Sequence, residues 1–208
     1  MVARPETLYV GSPAYLIVTE NPDGTPNLSP ASSYWALGEM LVLGLEAAGQ
    51  TARNLTERPD ITVSFPSGEL WRAVLRLDGT TGRNPVPAEK LPRYRFEPDK
   101  FAVAGLTPEP SDLVTVPRVA ECRLQMEARV RRATPGLDGS YLMVEAEVLR
   151  VHADPGILKP GTDLPDPRRW SPLVYRFRHF FRAEDEVGWL PKSPTADAPP
   201  PAEEPPRG

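Results

Sequence analysis

Short apolar runs separated by proline set the limits on this fold. The longest, "AYLIVTE" and "MLVLGLEAAG", fall well short of the roughly 20 apolar residues of a membrane-spanning helix. The chain has 27 prolines, and proline removes a backbone donor and ends helices and central strands. Strands are predicted over 14–20, 27–37, 40–46, 60–66, 122–130, 141–153 and 173–181, from β-branched and aromatic content and alternation. Asp23-Gly24 suits a hairpin turn between the first two. In the 122–130 run, Leu124, Met126, Ala128 and Val130 alternate with polar residues, as in a strand with one wet face. Two short helices are expected, at 51–59 and at 67–77, where Ser67 is placed to cap and Leu70, Val74 and Leu77 share one stripe. Roughly six or seven strands with a few short helices predict a mostly β fold, an antiparallel β-barrel with short helices. Crossover segments do not recur, which excludes repeated parallel βαβ units.

Composition narrows the class. With 208 residues, 40% hydrophobic and 25% charged, the chain can bury a sizeable core. A net charge of −4 argues against a nucleic-acid partner, which needs a basic face. The N-terminal stretch lacks the apolar core of a signal peptide, so a cytoplasmic, non-membrane protein is expected. Cys122 is the single cysteine and His152 and His179 the only histidines, which excludes an internal disulfide and argues against a structural zinc site. Cys122 reads as an inert core thiol and His152 as structural. Residues 1–190 are taken as one domain. Residues 191–208, rich in proline and acid, bury too little to offset ordering entropy and read as a disordered tail.

Two segments carry candidate chemistry. In "NLSPASSYW" (27–35), Pro30 interrupts a strand and frees backbone groups that a planar heterocycle could meet. The alternative is a serine-rich edge strand with core aromatics. In "GQTARN" (49–54), a Thr51-capped helix start beside Arg53 and Asn54 is either an anion site or a plain N-cap. No GxGxxG after a strand, GxxxxGK[ST], HExxH or GxSxG motif occurs, so those phosphate-binding and hydrolytic mechanisms lack their footing. As one strand, 173–181 would direct Tyr175, Phe177, His179 and Phe181 to one face and Arg176, Arg178 and Arg182 to the other.

The order of segments resembles the flavin reductase-like family, whose fold is the FMN-binding split barrel. "NLSPASSYW", "GQTARNL", "DKFAVAGLTP" (99–108), "VPRVAECRLQMEARV" (116–130), "VLRVHAD" (148–154) and "SPLVYRFRHFF" (171–181) carry the likeness, in family order over about residues 8 to 182. The resemblance implies bound FMN near the interface of a homodimer. It implies that Asn27, Ser29, Pro30, Ala31, Ser32, Ser33, Tyr34 and Trp35 follow the isoalloxazine and ribityl chain. Gln50, Thr51, Arg53 and Asn54 would receive the phosphate, Lys100 would approach ring or phosphate, and His179 would near the flavin edge. Many relatives carry a lysine and an acid before that threonine; here those places are Gly49 and Gln50.

The implied activity is an NAD(P)H:flavin oxidoreductase that takes hydride from a nicotinamide, in some relatives serving a partner monooxygenase. No side chain is assigned as acid, base or nucleophile, because flavin itself accepts hydride. The alternatives are a non-enzymatic flavin-binding electron carrier of the same fold, and a barrel whose arginine face serves assembly with the flavin site degenerate.

Overall fold

Tyr15 through Thr19 are all fully shielded from solvent, and the strand they form divides the core in two. In the computed structural model, which describes residue 2, residues 8–183 and residues 186–187, this strand is β1 (Tyr15–Glu20). Alternation sends Tyr15 and Ile17 into one apolar cluster and Leu16 and Val18 into another, as a strand covered on both faces requires. The expected tail at 191–208 lies outside the described residues.

The main sheet adds β2 (Pro26–Ala31), β3 (Tyr34–Leu37), β4 (Met40–Glu46), β5 (Asp60–Phe65), β6 (Leu124–Pro135) and β7 (Tyr141–Ala153). Its order is β2-β1-β5-β6-β7-β4-β3, and every pairing is antiparallel. The edge strands β2 and β3 are neighbours in sequence, so the sheet curls until its edges meet at Ser32–Ser33. Among the described residues no ladder joins them, and the barrel stays split. Pro30 is accommodated because β2 is an edge. The inner cluster centres on Leu41, Leu43, Ile61, Val63, Val144 and Ala146. The outer cluster packs β1 against α2 (Trp71–Arg76), α3 (Lys100–Ala104) and the loop that follows α3. Val74 and Leu77 are buried there and Leu70 packs against them, so the predicted stripe holds.

Three expectations are corrected. The 67–77 segment is a 3-10 turn, Gly68–Leu70, followed by α2; Ser67 makes no capping bond and instead donates to Glu69 Oε2 at 2.8 Å. Two of the polar residues that alternate along β6 do not face water: Gln125 is 5% and Glu127 0% exposed. Glu127 accepts the backbone N–H groups of Asp112, Leu113 and Val114 at 3.0, 2.6 and 3.1 Å and meets His152 Nε2 at 2.6 Å. Burial alone would raise its carboxyl; these donors outweigh burial and hold it below the ordinary value. The loop after α3 thereby covers what the alternation made a solvent face.

The 173–181 run is the third. It folds as a hairpin, β8 (Val174–Arg176) and β9 (His179–Phe181), with β8 also paired to Ser12–Pro13. Phe177 and Arg178 turn it at φ of 44° and 69°, a left-handed conformation that bulky residues rarely adopt. A single alternating face over 175–181 therefore does not exist, and Arg176, Arg178 and Arg182 do not form one arginine face. Arg176 covers the Phe181 ring at 4.0 Å and Arg182 pairs with Glu69 at 3.0 Å. Cys122 is buried in the outer cluster, and burial pushes its thiol up, as an inert core cysteine requires. No helix among the described residues is long and apolar enough to cross a membrane.

Candidate functional site

A buried polar network joins β1, β2, α3 and the helix α1 (Gln50–Leu55). Asp99 caps α3, accepting from Ala102 N at 3.0 Å, and the next residue, Lys100, is only 5% exposed. Its Nζ donates to Asn27 Oδ1 at 3.0 Å. Asn27 Nδ2 donates to Thr19 Oγ1 at 3.2 Å and Thr51 Oγ1 at 3.1 Å, and the Thr51 hydroxyl donates to Ser29 Oγ at 3.0 Å. Asn54 Nδ2 donates to Thr19 Oγ1 at 3.0 Å and Asn21 Oδ1 at 3.1 Å, and its Oδ1 accepts from Gln50 Nε2 at 2.7 Å. Such linked side chains hold one another in a single geometry. Gly82 lets the following loop close on this network, since a Cβ there would stand 2.5 Å from Asn27 Oδ1 and 3.0 Å from Gln50 Cγ.

Thr51 is not the helix cap. Gly49 holds that position with no side-chain bond, and the Thr51 hydroxyl turns instead to Asn27 and Ser29.

Lys100 sets the electrostatics. Its hydrogen-bond acceptor is a neutral amide oxygen, although an ammonium has three donors. Burial, then repulsion from Lys90, lowers its pKa to about 8 against a weaker opposing pull from Glu97. Lys90 sits on a 3-10 turn, Ala88–Lys90, and is 6% exposed. It meets Glu46 Oε2 at 2.6 Å and lies 4.8 Å from the Tyr94 ring centroid. Two ammonium groups are thus buried in one cleft, a costly arrangement unless an anion joins them.

The cleft continues into a groove. One end is lined by Ser29, Gln50, Thr51, Lys90 and Lys100, the middle by Pro30, Ala31 and Tyr94, and the far end by Ser32, Tyr9, Tyr175 and Phe180. The hairpin turn makes that aromatic end: Tyr175 and Phe180 lie 5.7 Å apart and Tyr9 is 5.4 Å from Tyr175. A cationic end and an aromatic end on one groove fit a planar heteroaromatic ligand carrying a phosphate.

Not every expected residue lies in it. Arg53 is exposed and lines an adjoining hollow with Asn21, Asn27 and Phe96, and with Gln50 and Lys100, which line the groove as well. Asn54 is committed to the network. Ser33 is held by Tyr9 Oη at 2.5 Å, while its carbonyl accepts from Tyr15 Oη at 3.0 Å and Gly44 N at 3.1 Å. Tyr34 packs edge-on against Phe65 at 5.3 Å, and Trp35 is 55% exposed on edge strand β3. His179 is exposed and lines a neighbouring hollow with Trp71 and Phe181, which shares Leu75, Arg178 and Phe180 with the aromatic end of the groove. Lys90, Glu46 and Tyr94 carry no local sequence signal; the fold of the 82–98 loop brings Lys90 and Tyr94 to Glu46, at the end of β4.

Residues 8–184 match the family described as flavin reductase like domain. The chain is 36% identical over 194 residues to the uncharacterized protein YdfE of Bacillus subtilis (strain 168), covering 92% of this chain and 93% of that one. Among solved structures it resembles flavoredoxin of Desulfovibrio vulgaris (Miyazaki F), at TM-score 0.71 and 23% identity over 94% of this chain and 99% of that one. It also resembles a Shewanella frigidimarina NCIMB 400 split barrel domain assigned as a flavin reductase, at TM-score 0.71 and 20% identity over 89% and 88% of the two chains. Component B of nitrilotriacetate monooxygenase from Bacillus cereus follows at TM-score 0.68 and 19% identity over 88% and 89%.

Proposed function

The chain belongs to the flavin reductase-like family and has its split-barrel fold, and from that premise we propose that it binds FMN and passes hydride to it from NADH or NADPH. The observation that carries this reading is the groove with two buried lysines at one end and a cluster of aromatic rings at the other. Bound flavin supplies the hydride-accepting centre. The chain's own residues bind and orient: Lys100 and Lys90 face the phosphate, and the Thr51 and Ser29 hydroxyls stand beside it. Pro30 and Ala31 would hold the ribityl chain, and Tyr94, Tyr175 and Phe180 would shield the ring from water. No side chain is needed as acid or base. Reduced flavin delivered to a partner monooxygenase in the cytoplasm completes the proposal; a flavin-binding electron carrier is the competing reading.

The proposal includes a homodimer. Trp35, Leu37 and Met143 are 55%, 70% and 43% exposed. The register that pairs Trp35 with Val42 and Met143 with Gly44 sets them on the outer face of β3, β4 and β7, an apolar patch that a second copy would cover. Gly44 also lines the groove, which brings that face to the flavin. Light scattering is expected to return twice the chain mass; a monomer with tightly bound flavin would contradict it.

FMN is expected to bind at least about tenfold more tightly than riboflavin, since each charge-assisted hydrogen bond to the phosphate contributes about 1.5–3 kcal/mol. Fluorescence titration reads this directly. Thr51→Ala should erode FMN affinity and spare riboflavin, whereas Arg53→Ala, in the adjoining hollow, should act weakly and only at low salt. Equal affinities for the two flavins in the wild type would overturn the phosphate site. Steady-state oxidation of NADH or NADPH separates the reductase from the carrier.

A further inference from the structure

The groove holds more positive charge than its acids balance. Lys90, Lys100, Arg93 and Arg178 line it, against Glu46 and Asp78. Asp78 is engaged by Arg93 at 2.9 Å, in an exposed pair. Glu46 is engaged by Lys90 at 2.6 Å, but the two partners differ: the Lys90 side chain is 6% exposed and that of Glu46 56%. Lys90 is committed to the groove and Glu46 is free to turn into water. The Tyr94 ring, 4.8 Å from Lys90 Nζ, adds an attractive face that helps keep the ammonium in the groove when Glu46 turns away, and an incoming anion takes over the pairing. Lys100 has no carboxylate within ion-pairing distance among the described residues.

We propose that Lys90 selects a terminal phosphomonoester by exchanging Glu46 for the ligand's phosphate. The inference rests on the flavin reading above and sharpens it. A phosphomonoester carries close to two negative charges at neutral pH and so satisfies Lys90 and Lys100 together. A pyrophosphate bridge spreads its two charges over two phosphorus centres, so the phosphate that stands between the two lysines carries only one of them. FMN is therefore preferred to FAD, and Glu46 acts as a stand-in anion that competes with the ligand. Arg53, though nearer in sequence to Thr51, is exposed in the adjoining hollow, which Lys100 also lines and Lys90 does not; the preference is assigned to Lys90.

The test turns on sign. Lys90→Met is expected to weaken FMN on the order of tenfold or more, to leave riboflavin within about twofold, and to shrink the FMN-to-FAD preference. Lys90→Arg keeps the charge and should retain the preference, which covers the case in which Lys90→Met does not fold. Glu46→Gln removes the competitor and should tighten FMN several-fold with riboflavin unchanged. A purely structural ion pair would make Lys90→Met and Glu46→Gln act in the same direction on both flavins, and that result overturns the proposal. So does an unchanged FMN-to-riboflavin ratio in Lys90→Met. If the wild type binds neither flavin, the functional reading fails on its own; the inference is then read from thermal protection by inorganic phosphate. Protection of wild type but not of Lys90→Met sustains it, and protection of neither, or of both alike, refutes it.

Discussion

Lys100→Met is expected to weaken FMN binding by about a hundredfold or more while leaving riboflavin within a few-fold. Lys100 is buried, its acceptor is a neutral amide, and it stands beside a second ammonium. An anion there meets little competing hydration, so its loss removes more than one ordinary charge-assisted contact, each about 1.5–3 kcal/mol. The pH dependence is the sharper signature. With its pKa lowered to about 8, Lys100 is charged below that pH and neutral above it. FMN affinity should hold from about pH 6, where phosphate acquires its second charge, to about pH 8, and then fall by up to tenfold per pH unit. Riboflavin should show no such fall, and Lys100→Met should abolish it.

Stability moves the other way with pH. The folded pKa of Lys100 lies below the ordinary lysine value of about 10.4, so between about pH 8 and 10.4 the unfolded chain binds the extra proton. The contribution of this group to stability therefore rises with pH across that window, by roughly 3 kcal/mol in all. Urea unfolding of the ligand-free protein at both ends should show a rise in the wild type that is missing in Lys100→Met. If FMN affinity stays flat through pH 8, Lys100 does not face the phosphate.

The sequence made some of this visible and hid the rest for identifiable reasons. The 40–46 and 141–153 strands are found as predicted, Met40–Glu46 and Tyr141–Ala153, because their dense apolar residues mark the element. Pro30 correctly marked a strand that cannot be central. The break in 173–181 was illegible because Phe177 and Arg178 supply none of the glycine or asparagine that announces a left-handed turn. Thr51 read as a cap because threonine caps are common, but Gly49 occupies that position and tertiary bonding claims the hydroxyl. Lys90 meets Glu46 across 44 positions of sequence, a contact no local pattern encodes. A cation was missing from Gly49–Gln50 in the sequence; folding brings one in from the 82–98 loop.

Glu127→Ala is expected to destabilise the protein by about 3–5 kcal/mol, as loss of a buried charged partner generally does. Its carboxylate is fully buried and accepts three successive backbone N–H groups, those of Asp112, Leu113 and Val114, besides meeting His152. No other acceptor is at hand for those donors, and Val114 and Val116 anchor the same loop in the outer cluster. For a chain of this size each kcal/mol shifts the midpoint by about 2–4 °C, so a drop of roughly 6–20 °C is expected. Glu127→Gln keeps an acceptor but brings an NH2 against N–H donors, and should fall between. The acid limb carries the sign: a carboxyl held below its ordinary value stabilises above the unfolded pKa of about 4.3, and that contribution fades as pH falls through the folded one. The alanine variant should lose this part of its acid sensitivity. Because the loop follows directly on α3, loosening it loosens the groove as a whole. FMN and riboflavin affinities should then decline together, whereas Lys100→Met separates them. A midpoint within about 1 °C of wild type would mean that the loop holds without Glu127, and that the buried carboxylate is there for something other than stability.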